Sequence, residues 1–187
     1  MAAIHEAIAG KETPARRYPD VTLYGFDILQ EMLATARRSI ARAGLADRVS
    51  VTEGDAASFS GDQLFEIPVF DRVVISYALS MIPPWRCALD QAMAAVAPGG
   101  ALYIVDFGEQ GELPRWFKTG LRAWLAKFSV EPRAGFEAAL RSVATRRGLS
   151  VHSENLYRSY ATYAVVTKSA DRVSAPPATR PRRSLAR

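Results

Sequence analysis

Cysteine and histidine are scarce in this sequence. The 187 residues include one cysteine, Cys87, and two histidines, His5 and His152. A single cysteine excludes an internal disulfide and a cysteine-based metal cluster, and it fits a reducing cytosol. The two histidines lie far apart in the chain, which argues against a histidine-rich metal site. We therefore expect no metal.

Long apolar runs are missing as well. The longest fall well short of the roughly 20 residues that a membrane-spanning helix needs, and no charged-then-apolar leader opens the chain. Hydrophobic residues make up 49% of the sequence and charged residues 23%, as in globular proteins. The length fits one domain with a substantial core. These features predict a cytoplasmic protein.

The net charge of +5 is concentrated at the C-terminus. The segment 171–187 holds five arginines and one aspartate, a net charge of +4, which leaves about +1 for the rest of the chain. Three prolines and few large apolar residues predict a disordered basic tail after a single domain at 1–170. Such a tail can contact anionic lipid or nucleic acid. A solvated tail without a dedicated partner is the simpler interpretation, and we expect no specific nucleic acid.

Strand-like and helix-like segments alternate along the chain. A strand pattern at 21–27 precedes apolar residues at helical spacing over 28–42, with Gly44 where a helix would end. Further strands are predicted in "RVSVTEGD", "FDRVVISY" and "ALYIVDFG", with a polar loop after the first and a helix at 85–96 before the last. This alternation predicts a Rossmann-like α/β fold with a mostly parallel sheet and helices on both faces.

The pattern changes beyond Gly111. An amphipathic helix is predicted at 113–128 and another at 133–148. Two strands follow at 149–160 and 161–169 without a crossover helix between them, so we expect a C-terminal antiparallel hairpin.

Polar residues end three of the predicted strands, and ligands of such sheets bind beyond the carboxyl ends. Asp27 can accept hydrogen bonds from ribose hydroxyls, and Asp55 from the amine of adenine, with Gly54 allowing close approach. Ser76 and Tyr77 end the third strand. Taken singly, an aspartate at such a position is more often a turn former or helix cap than a ligand-binding residue. Tyr77 has the alternative role of a packing residue.

Taken in order, "LYGFDILQEMLATAR", "VTEGDA", "FDRVVISYALSMIP" and "APGGALYIVDF" resemble motifs of the class I S-adenosylmethionine-dependent methyltransferases, and the resemblance extends over 18–168. Within that family, "SYALSMIPPW" resembles the N-methyltransferases of amino lipids, namely the betaine-lipid (diacylglyceryl-homoserine) and phosphatidylethanolamine enzymes. The resemblance implies S-adenosylmethionine as cofactor and a small-molecule or lipid headgroup amine as acceptor.

The resemblance also implies one site along the strand ends. Asp27 would hold the ribose and Asp55 the adenine, while Ser76 and Tyr77 would be catalytic groups beside the reacting nitrogen. Methyl transfer depends on alignment and exclusion of water more than on a strong base. The other implied residues are Ile28, Gly54, Ala56 and Ser76 for the cofactor, and Tyr77, Met81, Ile82 and Trp85 for the acceptor pocket.

One family feature has no counterpart. The family's first strand and its glycine-rich turn should precede Asp27, yet only 26 residues do so, and Gly10 is the only glycine before Gly25. That strand lies centrally, between those ending in Asp27 and Tyr77, so its absence predicts unpaired backbone groups in mid-sheet and low stability. We favour a truncated or frameshifted product over a first segment of other origin or an unusual pairing of "AAIHEAIAG". The resemblance rests on the later motifs, and activity of this chain does not follow from it.

Two other functions share part of this pattern. A nicotinamide-dependent oxidoreductase also uses an acid after its second strand, but the glycine fingerprint and a Tyr-x-x-x-Lys pair are missing. A non-catalytic binding protein with this fold is the second alternative. The 113–128 helix carries Leu113, Trp116, Trp124 and Phe128 on one face and basic residues beside it. It can pack as a lid or place the protein peripherally at a membrane, as can the basic tail.

Overall fold

Each predicted strand–helix unit forms, with its ends shifted by a few residues. The computed structural model describes residues 14–108, 133, 135–157 and 159–170. The strands are β1 (Leu23–Asp27), β2 (Val49–Glu53), β3 (Phe70–Ser76), β4 (Val96–Phe107), β5 (Ser150–Leu156) and β6 (Ala161–Thr167). The helices are α1 (Pro14–Arg17), α2 (Gln30–Ala43), α3 (Gly61–Phe65), α4 (Trp85–Ala94) and α5 (Phe136–Arg146), and a 3₁₀ turn spans Leu79–Met81.

Helix α2 shows why the local predictions succeed. Its buried residues, Leu33, Ala36 and Ile40, recur every three or four positions and so share one face. Gly44 ends the helix with φ of 66°, and its N–H donates to the carbonyls of Ala41 and Ile40. A residue with a side chain is strained at this left-handed φ, which explains the glycine.

The strands form two sheets. Strand β1 pairs with β2 in parallel, while the second sheet has the order β3-β4-β6-β5. Strand β3 runs parallel to β4, and β6 is antiparallel to both β4 and β5. The Rossmann-like α/β fold and its closing antiparallel hairpin are therefore confirmed.

The break between the sheets lies where the sequence predicts a missing central strand. Among the residues that the structure describes, β1 pairs only with β2, and β3 only with β4. Side chains bridge the break instead: the Tyr24 ring lies 5.2 Å from that of Phe65 and 5.8 Å from that of Phe70, centroid to centroid. On β3, Val74 is left 65% exposed.

Most of the core belongs to the four-stranded sheet. Helices α4 and α5 pack there around fully buried side chains such as Leu89, Leu102 and Leu140. The β1–β2 sheet has a much smaller buried cluster of Ala15, Ile40, Leu45 and Val49. Arg48 fixes the segment that precedes β1, because it donates hydrogen bonds to the carbonyls of Ala15 and Pro19 at 2.9 and 2.7 Å.

Helix α3 is the main difference from the sequence prediction, which has a polar loop there. Five residues are too few to show helical periodicity. The turn closes on Glu66, whose φ is 58° and whose N–H donates to the carbonyl of Asp62 at 2.9 Å. The predicted helix at 113–128, the basic tail at 171–187 and the "AAIHEAIAG" segment lie outside the described residues. Within the described ranges, no helix has the length and apolar character to cross a bilayer.

Candidate functional site

Two aspartates lie at the carboxyl ends of neighbouring strands: Asp27 ends β1, and Asp55 follows β2 by two residues. The two strands run in register, and the N–H of Gly54 donates to the carbonyl of Asp27 at 3.1 Å. Asp27 Oδ1 accepts a hydrogen bond from the Leu29 N–H, and Asp55 Oδ1 accepts one from the Ala57 N–H, both at 2.9 Å. Each aspartate thus forms its own turn with one oxygen. Within the described part of the chain, neither Oδ2 has a hydrogen-bond partner.

The neighbours of these carboxylates differ in character. Ile28 is 60% exposed directly after Asp27, an apolar side chain available to a ligand. A Cβ at Gly54 would lie only 2.7 Å from Leu64 Cδ1 and 3.2 Å from Phe26, so packing inside the protein already requires this glycine. Ala56 packs against the larger core.

The end of β3 turns sharply at Tyr77. Ser76 lies opposite Val105 of β4, and the Tyr77 N–H donates to the Val105 carbonyl at 2.7 Å. Tyr77 has φ of 48°, a left-handed conformation that costs a side-chain-bearing residue roughly 1–2 kcal/mol. Its ring lies 4.9 Å from that of Phe107, which in turn lies 5.7 Å from that of Tyr160.

A buried acid accepts a hydrogen bond from the backbone of the turn that follows Tyr77. Asp106, the second-last residue of β4, is 4% exposed. Its Oδ2 accepts from the Ser80 N–H at 3.2 Å and its Oδ1 from the Phe107 N–H at 2.7 Å. Burial raises the pKa of the Asp106 carboxyl, and these hydrogen bonds offset part of that rise. The buried Ser80 hydroxyl lies beside the same carboxylate and also helps to lower its pKa.

An arginine binds the same turn through its carbonyls. Arg133 Nε donates to the Leu79 carbonyl at 3.0 Å, and its Nη2 donates to the Ile82 carbonyl at 2.9 Å. Asp106 and Arg133 therefore satisfy opposite kinds of backbone group in one four-residue turn. Together they set the path of the chain between Tyr77 and α4.

The three predicted pocket walls after Tyr77 do not share one environment. Met81 and Ile82 are half-buried on the turn. Trp85 is 8% exposed, and its ring lies 6.2 Å from that of Phe136 in the core. The structure therefore places Trp85 as a core residue, with the Arg86 guanidinium 4.6 Å above its ring.

The structure thus gathers the predicted residues into two groups, one on each side of the sheet break. The Asp27–Asp55 group lies on the β1–β2 sheet, and the Ser76–Tyr77 group lies on the β3–β4 pair. Sequence reasoning missed Asp106, Phe107, Arg133 and Tyr160. Asp106 carried the same signal as Asp27, an acid closing an apolar strand. The others are brought in by strand pairing and helix packing, which leave no local pattern.

Comparison with known proteins relates about half of the chain to one family. Residues 12–100 match the family described as methyltransferase domain. Over this stretch, slightly under half of its length, the chain is similar to methyltransferase domains. The match agrees with the predicted class of S-adenosylmethionine-dependent methyltransferase and with that compound as the expected cofactor.

Individual relatives agree with this class. The chain is 33% identical to the ubiquinone/menaquinone biosynthesis C-methyltransferase UbiE of Brucella anthropi over 88 residues, which cover 47% of this chain and 32% of the relative. It is 32% identical to the demethylmenaquinone methyltransferase of Thermus thermophilus over 91 residues, or 49% and 39% of the two chains. The matched part therefore spans about a third of these relatives.

The fold is shared more widely. The structure of an O-methyltransferase family protein from Burkholderia thailandensis superimposes with a TM-score of 0.65 at 20% sequence identity, covering 84% of this chain and 46% of that one. At this identity the likeness concerns the fold. The fold is thus shared with this O-methyltransferase family protein, and the activity and acceptor of this chain are separate questions.

Proposed function

We propose that this chain binds S-adenosylmethionine along the ends of β1 and β2 and transfers its methyl group to an acceptor beside Tyr77. The observation that carries the proposal is the pair of carboxylates Asp27 and Asp55. Each fixes its own turn with Oδ1 and has an Oδ2 that no other described residue binds. Two preformed acceptors on adjacent strand ends suit a ligand with several hydroxyl and amine donors, such as a nucleoside.

Each residue would contact a different part of the ligand. Asp27, half-buried, would accept from the ribose hydroxyls, while Asp55 would accept from the adenine amine beside exposed Ile28. The cofactor supplies an electrophilic methyl group on a positively charged sulfur. The acceptor's electron pair forms the new bond to that methyl carbon while the carbon–sulfur bond breaks, and an acceptor proton is released. The rigid Tyr77 turn would hold the acceptor in line and keep water out.

The acceptor has two candidates. The relatives from Brucella and Thermus are named for methylation in quinone biosynthesis, and the first is named a C-methyltransferase. Support therefore favours a ring acceptor over the predicted lipid headgroup amine. The amine stays the second candidate because "SYALSMIPPW" resembles the lipid N-methyltransferases. Contact with a membrane surface through 113–128 or the basic tail stays a prediction.

Calorimetry on paired variants tests the donor site. The wild type should bind S-adenosylmethionine and S-adenosylhomocysteine but not NAD. Asp27→Asn keeps an oxygen for the Leu29 N–H but loses the negative charge, so it should weaken S-adenosylhomocysteine binding at least tenfold, about 1.4 kcal/mol. Asp55→Ala should weaken it less, because adenine keeps apolar contacts.

Asp47→Asn is the matched control, since Asp47 is an exposed acid at the opposite, amino end of β2. It should leave the dissociation constant unchanged. Equal affinity in wild type and Asp27→Asn would show that the ribose is not held at Asp27. A wild type that binds NAD in place of the methyl donor would favour the oxidoreductase alternative.

A further inference from the structure

Three aromatic side chains meet at the carboxyl end of the β3–β4 pair. Tyr77 directly follows β3, Phe107 is the last residue of β4, and Tyr160 directly precedes β6. Their ring centroids are 4.9 Å apart for Tyr77 and Phe107 and 5.7 Å apart for Phe107 and Tyr160. We call these residues the aromatic trio. All three are half-buried, so each ring keeps part of its surface open to a ligand.

Backbone contacts fix the aromatic trio in place. The Tyr77 N–H donates to the Val105 carbonyl at 2.7 Å, and the Gly108 N–H donates to the Tyr160 carbonyl at 2.8 Å. A Cβ at Gly108 would collide with the carbonyl oxygen of Ser159, so the strand and the hairpin approach this closely only because residue 108 is glycine. The main chain that carries the three rings is therefore fixed in place.

Backbone strain is concentrated around the same rings. The structure describes four non-glycine residues with positive φ, and three of them are Tyr77, Tyr157 and Ser159. Two lie in the hairpin turn that presents Tyr160, whose N–H donates to the Tyr157 carbonyl at 3.2 Å. Strained backbone of this kind tends to occur at functional sites, where the surrounding structure holds it. The clustering points to a binding role for this end of the sheet.

We propose that the aromatic trio is the surface on which a flat, apolar ring of the methyl acceptor stacks. This inference rests on the proposed methyl transfer, because Tyr77 stands next to Ser76 at the reaction site. Half-buried rings gain from covering a planar ring, both through apolar burial and through offset or edge-to-face contact. The trio's rings already touch one another at interplanar angles of 57° and 84°. Rings in direct contact with one another suit a flat ligand better than a quaternary ammonium group, which binds between separated ring faces.

Binding of 2-naphthol, a stable planar phenol, tests the proposal on the intact chain. Phe107→Leu and Tyr160→Leu remove a ring but keep an apolar side chain, and each should weaken 2-naphthol binding about fivefold. Tyr160→Phe keeps the ring and should bind as the wild type does. Tyr18→Leu is the matched control, because Tyr18 is 54% exposed and lies before β1, at the amino edge of the sheet. Choline serves as the cationic probe.

The expected pattern is selective loss of 2-naphthol affinity in the two leucine variants, with S-adenosylhomocysteine affinity unchanged. Wild-type protein that ignores 2-naphthol, or leucine variants that bind it normally, would overturn the proposal while leaving the donor site intact. Choline binding that is lost in the same variants would also overturn it, in favour of an ammonium acceptor. If a leucine variant does not fold, cross-relaxation between 2-naphthol protons and the wild-type tyrosine rings, present or absent, decides the matter.

Discussion

Asp106 is an acid in a strand whose other buried positions hold apolar side chains such as Leu102 and Ile104. It is almost fully buried, and desolvation raises its pKa above the ordinary value of 3.8. The folded state therefore binds the Asp106 proton more tightly than the unfolded state does. This group's contribution to stability is fully present below pH 3.8 and is lost as the pH rises through the raised pKa of the folded state.

Replacing Asp106 by asparagine should remove that pH dependence. We expect the difference in unfolding free energy, wild type minus Asp106→Asn, to fall as the pH rises from 3.8 through the raised pKa of the folded state and to level off above that pKa. Asparagine has one carbonyl oxygen for two N–H donors, so the variant should lose about 1 kcal/mol at low pH. Urea unfolding at several pH values measures both effects. A difference that stays constant with pH would mean that Asp106 titrates normally in the fold.

The role of a single residue is predictable from the sequence only when a few adjacent residues are enough to recognise it. Asp27 and Asp55 are predictable because an acid directly after an apolar strand is visible in a few letters. The same letters show Asp106, but its burial comes from the pairing of β4 with both β3 and β6. Tyr160 is harder still, since it reaches Phe107 only through the antiparallel register that sets Phe107 opposite Ala161.

An ion pair joins helices α4 and α5 at their surface. Arg147, just after α5, donates to both carboxylate oxygens of Asp90 on α4, at 3.0 and 2.7 Å. The hydrogen bonds from Arg147 hold the pKa of Asp90 below 3.8, despite some opposing desolvation. The pair's stabilisation is therefore present above pH 3.8 and is lost as the pH falls through the lowered pKa of Asp90.

Asp90→Asn should lower the unfolding free energy at pH 7 by about 0.5–1 kcal/mol. The estimate is small because the two side chains are 35% and 41% exposed, where water and salt weaken ion pairs. Wild type and variant should converge below the Asp90 pKa, and also in about 1 M salt. A double-mutant cycle with Arg147→Gln isolates the pair itself. A zero coupling energy in the cycle would show that the bidentate geometry adds nothing in solution.

At the scale of elements, length decides what is predictable. Helix α2 has fourteen residues and a clear apolar face, so its pattern and its terminal glycine are legible. Helix α3 has five, and it depends on contacts made elsewhere. Gly61 packs against Phe70, where an added Cβ would come within 2.7 Å of the ring. Such packing is set by the tertiary structure, which the sequence does not display locally.

The whole molecule is divided unequally by the break between its sheets. The β3–β6 sheet and its two helices hold most of the buried apolar side chains, whereas the β1–β2 sheet relies on a small cluster. The predicted position of a missing central strand agrees with this break. The proposed donor carboxylates and the proposed acceptor turn therefore lie on parts of the described structure that have different buried clusters.

The smaller sheet should therefore open at lower free energy than the larger one. Native-state hydrogen exchange should show amides of β1 and β2 exchanging through a local opening, and those of β4 and β6 only through global unfolding. Tyr24 links the parts through Phe65 and Phe70, so Tyr24→Ala should lower the opening free energy of β1 and β2 by about 1–3 kcal/mol while β4 and β6 keep theirs. Tyr18→Ala, which removes an exposed ring, is the control. Uniform protection across all the strands would mean that the two sheets unfold as one unit. An equal loss of opening free energy in both sheets would mean the same, and the break would then not lower the stability of the smaller sheet.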